Sequence, residues 1–212
     1  EIAFPDYLHP DGNQLLGFKK GYVKTWNYTP LWSEHWLPTE GEIAALTIGP
    51  KGKLMVYQHQ GNIWLQEMSL QGARRKIATA KEGSYVFNFS SDEKFLICRN
   101  EKEDVFTHQL YRTADGEALA QFAAYPALNF SPDGQKVYTC DDAGIVRVHS
   151  LQKSGVGEVV VDNGYPVERL VVSPKSNYLI AYFAPDGSHR PRMWNLKTGK
   201  MEFELSIPAE SF

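Results

Sequence analysis

A unit of about forty residues recurs five times along this 212-residue chain, and a repeat of that length restricts the fold to architectures assembled from one supersecondary piece used many times. Its clearest copy contains Leu128-Asn129-Phe130-Ser131-Pro132-Asp133-Gly134. The same turn returns as His9-Pro10-Asp11-Gly12, Gly49-Pro50-Lys51-Gly52, Ser90-Ser91-Asp92-Glu93 and Ser173-Pro174-Lys175-Ser176, so its second residue stands at 10, 50, 91, 132 and 174. A second landmark, an aromatic or polar residue downstream of each turn, falls at Trp26, Gln66, Tyr111, His149 and Trp194. The two landmarks define units of approximately 1–41, 42–83, 84–124, 125–165 and 166–207.

Within each unit, short apolar or alternating runs are separated by turn residues, and no segment sustains a helical period. The fourth unit predicts strands at Pro126 to Phe130, Lys136 to Cys140, Ile145 to His149 and Glu158 to Val161, with Asp133-Gly134 and Asp142-Ala143-Gly144 as turns. A lone four-stranded sheet cannot hide both faces. Repeated sheets solve this by stacking around an axis, so the chain reads as an all-β, β-propeller domain over 1–212 with five visible four-stranded antiparallel blades. The first-strand column agrees: Leu46, Phe87, Leu128 and Leu170, with Ile48, Phe89, Phe130 and Val172 two residues on, place large apolar groups on one face. Asp6 is the exception in that column. A register slip in an irregular first strand accounts for it.

The run Arg192-Met193-Trp194-Asn195-Leu196-Lys197-Thr198-Gly199-Lys200 resembles the end of a third strand and the following turn in the WD-repeat family. That resemblance implies a propeller acting as a non-catalytic scaffold for protein partners. The position after the landmark, usually Asp in the family, is here Asn27, Glu67, Arg112, Ser150 or Asn195, and the family's Gly-His pair is absent, which marks a divergent member. The fifth unit, through Ser173-Pro174-Lys175-Ser176-Asn177-Tyr178-Leu179, Pro185 to Pro191 and Trp194, is similar to a blade of the propellers of some eukaryotic translation initiation factors. This second resemblance implies an alternative in which the chain binds ribosomal components. Rings of the WD-repeat family usually have seven blades, which favours an excerpt of a larger ring, closed by further blades or a partner, over a genuine five-bladed ring. Its missing initiator Met fits processing or excerption.

Charge and composition narrow the partners. A formal net charge of -3 gives no general electrostatic drive toward nucleic acid or an anionic membrane, and Arg74-Arg75-Lys76 and Lys19-Lys20 are the only basic clusters offered to RNA. No apolar run approaches the roughly 18 residues of a spanning helix, and Glu1 to Pro5 lacks the start of a secretory signal. Cys98 and Cys140 hold nearly equivalent places in successive units, farther apart than the roughly 4.4–6.8 Å between α-carbons that a disulfide permits. Both are expected reduced, consistent with a cytoplasmic chain.

The candidate contact residues lie at one end of the blades. Tyr85, Tyr125 and Tyr165, spaced by 40, precede the first strands and bring large rings with little rotamer entropy; the competing reading is that they wedge blades together. The turns between second and third strands carry Arg99, Asp141, Asp142, Asp186, His189 and Arg190, a mixed-charge rim suited to a specific partner. Trp32, His35 and Trp36 form the densest aromatic cluster and are expected to pack between blades. An enzyme would need a constellation, and only Asp6, Asp141, Asp142 and Asp186 are available for the glycan-binding or glycoside-hydrolysing alternative on a five-bladed scaffold. The six histidines are scattered without ligand spacing. No catalytic residue, metal site or cofactor is assigned.

Overall fold

The computed structural model describes residues 43–69, 72–103, 105–122, 127–151, 157–182 and 190–204 in full, and the backbone alone of four strands before them. Among the described residues, twenty strands form five four-stranded antiparallel sheets, and none is helical. The first sheet comprises β1 (Pro5–Leu8), β2 (Gln14–Lys19), β3 (Tyr22–Asn27) and β4 (Glu34–Pro38), and the second β5 (Ile43–Ile48), β6 (Leu54–His59), β7 (Asn62–Glu67) and β8 (Arg74–Thr79). The third holds β9 (Ser84–Phe89), β10 (Phe95–Lys102), β11 (Val105–Arg112) and β12 (Ala118–Phe122), and the fourth β13 (Leu128–Phe130), β14 (Lys136–Cys140), β15 (Ile145–Ser150) and β16 (Glu158–Asp162). The fifth holds β17 (Arg169–Val172), β18 (Tyr178–Tyr182), β19 (Arg192–Asn195) and β20 (Lys200–Glu204). Every sheet is a meander in chain order. The expected strands of the fourth unit fall within two residues of those observed.

The chain divides into two compact units, Glu1–Asp104 with Gln109–Ala120 and Val105–His108 with Gln121–Phe212. In the first, β6 explains why a sheet needs neighbours on both sides. Met55, Val56 and Tyr57 are all fully buried, yet consecutive strand residues point to opposite faces. Val56 joins Ile63, Leu65, Phe87, Phe89 and Leu96 in one cluster, while Met55 and Tyr57 pack with Leu46, Ile48 and Trp64 in another. Each such side chain contributes about 1.5–3 kcal/mol of burial. In the second unit, Tyr138, Val146 and Val161 of the fourth sheet meet Leu170, Leu179 and Ala181 of the fifth in one cluster. Asn129 Nδ2 donates to Leu170 O at 3.0 Å, tying β13 to β17.

The repeated turn has a chemical reason. Ser131 Oγ donates to Asp133 Oδ1 at 2.5 Å and accepts from Lys136 N at 2.9 Å, and Ser90 and Asp92 repeat this with Phe95 N. The turn's last residue adopts a left-handed backbone, with φ of 65° at Gly52, 60° at Glu93, 68° at Gly134 and 54° at Ser176. Glycine is the natural occupant. Glu93 is not glycine, and its side chain explains why it stands there (below).

The third-strand landmark also acquires a partner. Gln66 Oε1 accepts from Tyr57 Oη at 3.1 Å, and His149 Nε2 lies 3.0 Å from Thr139 Oγ1. Residues 57, 139 and 181 are the same place in the second, fourth and fifth blades, where the third has Cys98. In the fifth blade that place is Ala181, which has no side-chain acceptor, and Trp194 Nε1 is buried without a hydrogen-bond partner among the described residues. Cys98 and Cys140 are buried free thiols, as expected, and burial pushes both upward, Cys140 to about 11.

Candidate functional site

The tyrosines spaced by 40 do not occupy one structural row. Blades advance by 41 or 42 residues, so Tyr85, Tyr125 and Tyr165 precede the column of Phe87, Leu128 and Leu170 by two, three and five residues. Tyr85 stands inside β9, opposite Asn100, rather than in the turn before it. Its hydroxyl accepts from Lys81 N at 2.7 Å, and its ring centroid lies 6.0 Å from that of Phe87 against the first unit's apolar cluster. Burial, opposed by the Lys81 hydrogen bond and helped by Cys98, raises the phenol above its usual range. Tyr165 lies in the connection before β17, with the Arg192 guanidinium 4.5 Å above its ring and its carbonyl accepting from Asn163 Nδ2 at 2.9 Å. Both rings thus hold their own segments. Tyr125 lies outside the described residues.

The charged residues separate in the same way. Arg99 is not in a turn: it lies within β10 opposite Val86, because β10 and β11 run for eight residues each and β9 supplies partners as far as Glu101. The mixed-charge run is therefore the end of a long hairpin. Asp141 does sit in the β14–β15 turn, where its carboxylate accepts from Ala143 N at 3.1 Å and Ile145 N at 2.9 Å and pairs with Arg147. Burial works to raise this carboxyl, but the Arg147 contact and the backbone donors prevail and hold it below the ordinary value. Asp142, next along, is exposed, and its side chain has no partner among the described residues. Arg190 is exposed just before β19, and Asp186 and His189 lie outside the described residues.

The remaining candidates resolve unevenly. Asp6 is the extra residue of a bulge: Pro5 pairs with Gly17 and Tyr7 with Leu16. This is the register slip expected from its place in an apolar column. His35 and Trp36 belong to β4 itself, and Trp32 lies outside the described residues. Arg74 stacks at 4.4 Å over Trp64, and Arg75 Nη1 donates to Ala114 O at 2.5 Å, so two of the three clustered bases in β8 are engaged within the first unit. Among the described residues no three His, Cys, Asp or Glu are grouped to hold a metal. No helix among the described residues is long and apolar enough to cross a membrane.

Glu93 is the functional-looking residue that sequence reasoning passed over. It lines a cleft of the first unit with Leu54, Glu67, Met68 and Asp92, but it is 5% exposed and its Oε1 accepts from Lys51 N at 2.5 Å, bridging the third sheet to the turn of the second. A Cβ on Gly49 would collide with this carboxylate. Its own carbonyl accepts from Thr113 Oγ1 at 2.6 Å. The signal was present in the turn column, where Gly, Gly, Glu, Gly and Ser fill one place. A glutamate accepting left-handed strain must gain something from its side chain.

No protein-family model and no curated protein matches the chain. Among solved structures it is similar to a TolB-like protein from Agrobacterium tumefaciens, at 18% identity and a TM-score of 0.54, over 94% of this chain and 79% of that one. At that identity the likeness speaks for architecture alone. Together with the five antiparallel four-stranded sheets, it identifies the fold as an all-β propeller.

Proposed function

We propose that the chain is a divergent, non-catalytic propeller of the WD-repeat type that binds a protein partner through the turns joining second and third strands. The observation that carries this reading is the β14–β15 turn. Three hydrogen-bonding groups converge on Asp141 and lock the turn, so that the neighbouring exposed Asp142 is displayed at a fixed position. Display from a locked turn removes most of the ordering cost of association. Asp141 cannot serve as a free catalytic carboxylate while it holds this turn, which weighs against the glycoside-hydrolysing alternative. The engaged state of Arg74 and Arg75 weighs against the RNA and ribosome alternative.

The contact surface on this reading shifts from the tyrosines to Asp142 and Arg190. The test is affinity capture from native lysate with the tagged chain, the Asp142→Lys and Arg190→Glu variants, and Tyr165→Ala, each checked for an unchanged far-ultraviolet spectrum. A defined protein set retained by Tyr165→Ala but lost by the charge reversals is the expected result. Equal recovery by all four would overturn the placement, and salt-sensitive recovery of ribosomal subunits would favour the alternative.

A further inference from the structure

His149 sits in β15 with its ring enclosed on three sides, all within the second unit. Its Nε2 lies 3.0 Å from Thr139 Oγ1 on β14, and the Phe122 ring at the end of β12 packs 4.9 Å away at 59°. On the third side the imidazole occupies the space where a Cβ on Gly157 would stand, just before β16. Only a glycine admits the ring there.

Among the described residues the charges around it offer no counter-ion. Arg147, two residues earlier on the same strand and so on the same face, is cationic and already paired with Asp141. Lys136 stands at the start of β14, one pair beyond the partner of His149. On β16 the nearest acid is Glu158, which is exposed and pairs with Val148 on the neighbouring position. From β12 come Phe122 and Gln121, neither titratable. Burial first, and Arg147 second, push the imidazole below its ordinary value. A half-buried imidazolium without a carboxylate beside it is relieved by fuller exposure to water.

We propose that His149 is a proton-operated latch, closed when neutral, whose protonation releases the end of β12 and the Gly157 segment from β15. The Thr139 hydroxyl can donate to the neutral ring, and it can only accept from the protonated one, so this contact survives while the apolar contacts with Phe122 and Gly157 become costly. The elements that move are therefore the end of β12 at Gln121 and Phe122 and the segment 157–162, and the inner strands β13 and β14 stay in place.

The sign follows from linkage. A ring that stays neutral when latched but takes a proton normally when released binds more protons in the open state, so opening becomes easier as pH falls below about 6.5. At pH 5 the ceiling on this gain is about 30-fold for an imidazole of ordinary pKa. The experiment is hydrogen exchange read by mass spectrometry at pH 7.5 and 5.0, corrected for intrinsic exchange rates, on the wild-type chain and His149→Gln. Expected is a rise of about tenfold in the opening of 121–122 and 157–162 in the wild type, none in 54–59, and none anywhere in His149→Gln. A wild type without that rise, or a glutamine variant with the same rise, would sink the proposal. Should the variant not fold, the His149 ring resonance in the wild type decides: it must titrate together with Phe122 resonances and below ordinary imidazoles. Titration at the ordinary value with Phe122 unmoved rejects the latch.

Discussion

Replacing Glu93 by glycine sets two measurable effects against each other. Glycine would relieve the left-handed backbone, where φ is 60°, a strain of about 1–2 kcal/mol for an L-residue. The same change removes the carboxylate that accepts from Lys51 N at 2.5 Å, a charge-assisted bond whose net contribution is about 1.5–3 kcal/mol. It also opens the space against Gly49. At the middle of each range the bond is the larger quantity, so Glu93→Gly is expected to be less stable than wild type by about 0.5–1 kcal/mol. Glu93→Ala keeps the strain and loses the bond, and should fall lower than the glycine variant by about the strain itself, 1 kcal/mol or more. Glu93→Gln retains shape and an acceptor oxygen, and should sit nearest to wild type. Urea unfolding with a common slope gives the three values directly. A glycine variant more stable than wild type would refute the reasoning, because the bridge would then be weaker than the strain it was invoked to offset.

Two further outcomes follow from particular contacts. Ala181→Ser places a hydroxyl where Tyr57 and Thr139 stand in their blades; it should move the Trp194 indole N–H resonance downfield and raise stability by about 0.5–1 kcal/mol, and an unmoved resonance would show that the hydroxyl does not reach. Asp133 is held below the ordinary carboxyl value, first by the Ser131 hydroxyl and then by Gln135 N. Its contribution is therefore present above about pH 4 and lost as pH falls through the lowered value. Asp133→Asn should flatten that part of the acid dependence of the urea midpoint between pH 5 and 2, and identical pH profiles would count against it.

How much of this was legible depended on which physical constraint wrote each residue. The blade was legible because burial on both faces forces period two onto every strand and turn chemistry forces Ser-x-Asp-Gly between them. The bulge at Asp6 was legible for the same reason, since an acid in an apolar column signals a broken register. The tyrosine series misleads because equal spacing is not equal position: 40 residues is not the period of these blades, and the slip of one or two residues per blade carries Tyr85 into a strand and leaves Tyr165 before one. The mixed-charge neighbourhood of Arg99 reads as a turn, whereas hairpin length is set by whether a neighbouring strand offers pairing partners. Contacts such as Arg192 on Tyr165 or Glu93 on Lys51 join residues 27 and 42 positions apart, and no local pattern announces them.

Three of the outer strands share one irregularity, which β4 of the first sheet lacks. In the described pairs β7–β8, β15–β16 and β19–β20, the outer strand carries one residue more than its partner, at Ile77, Val160 and Glu202 respectively. An extra residue bends the free edge and breaks the even row of donors and acceptors that a further strand would need. The rim of each of these blades is thereby closed to growth by strand addition, and association is left to loops and to sheet faces. A mutation that deleted the extra residue in one outer strand would do more than perturb a blade: it would hand the molecule a regular, unsatisfied edge, and with it a route to polymerisation.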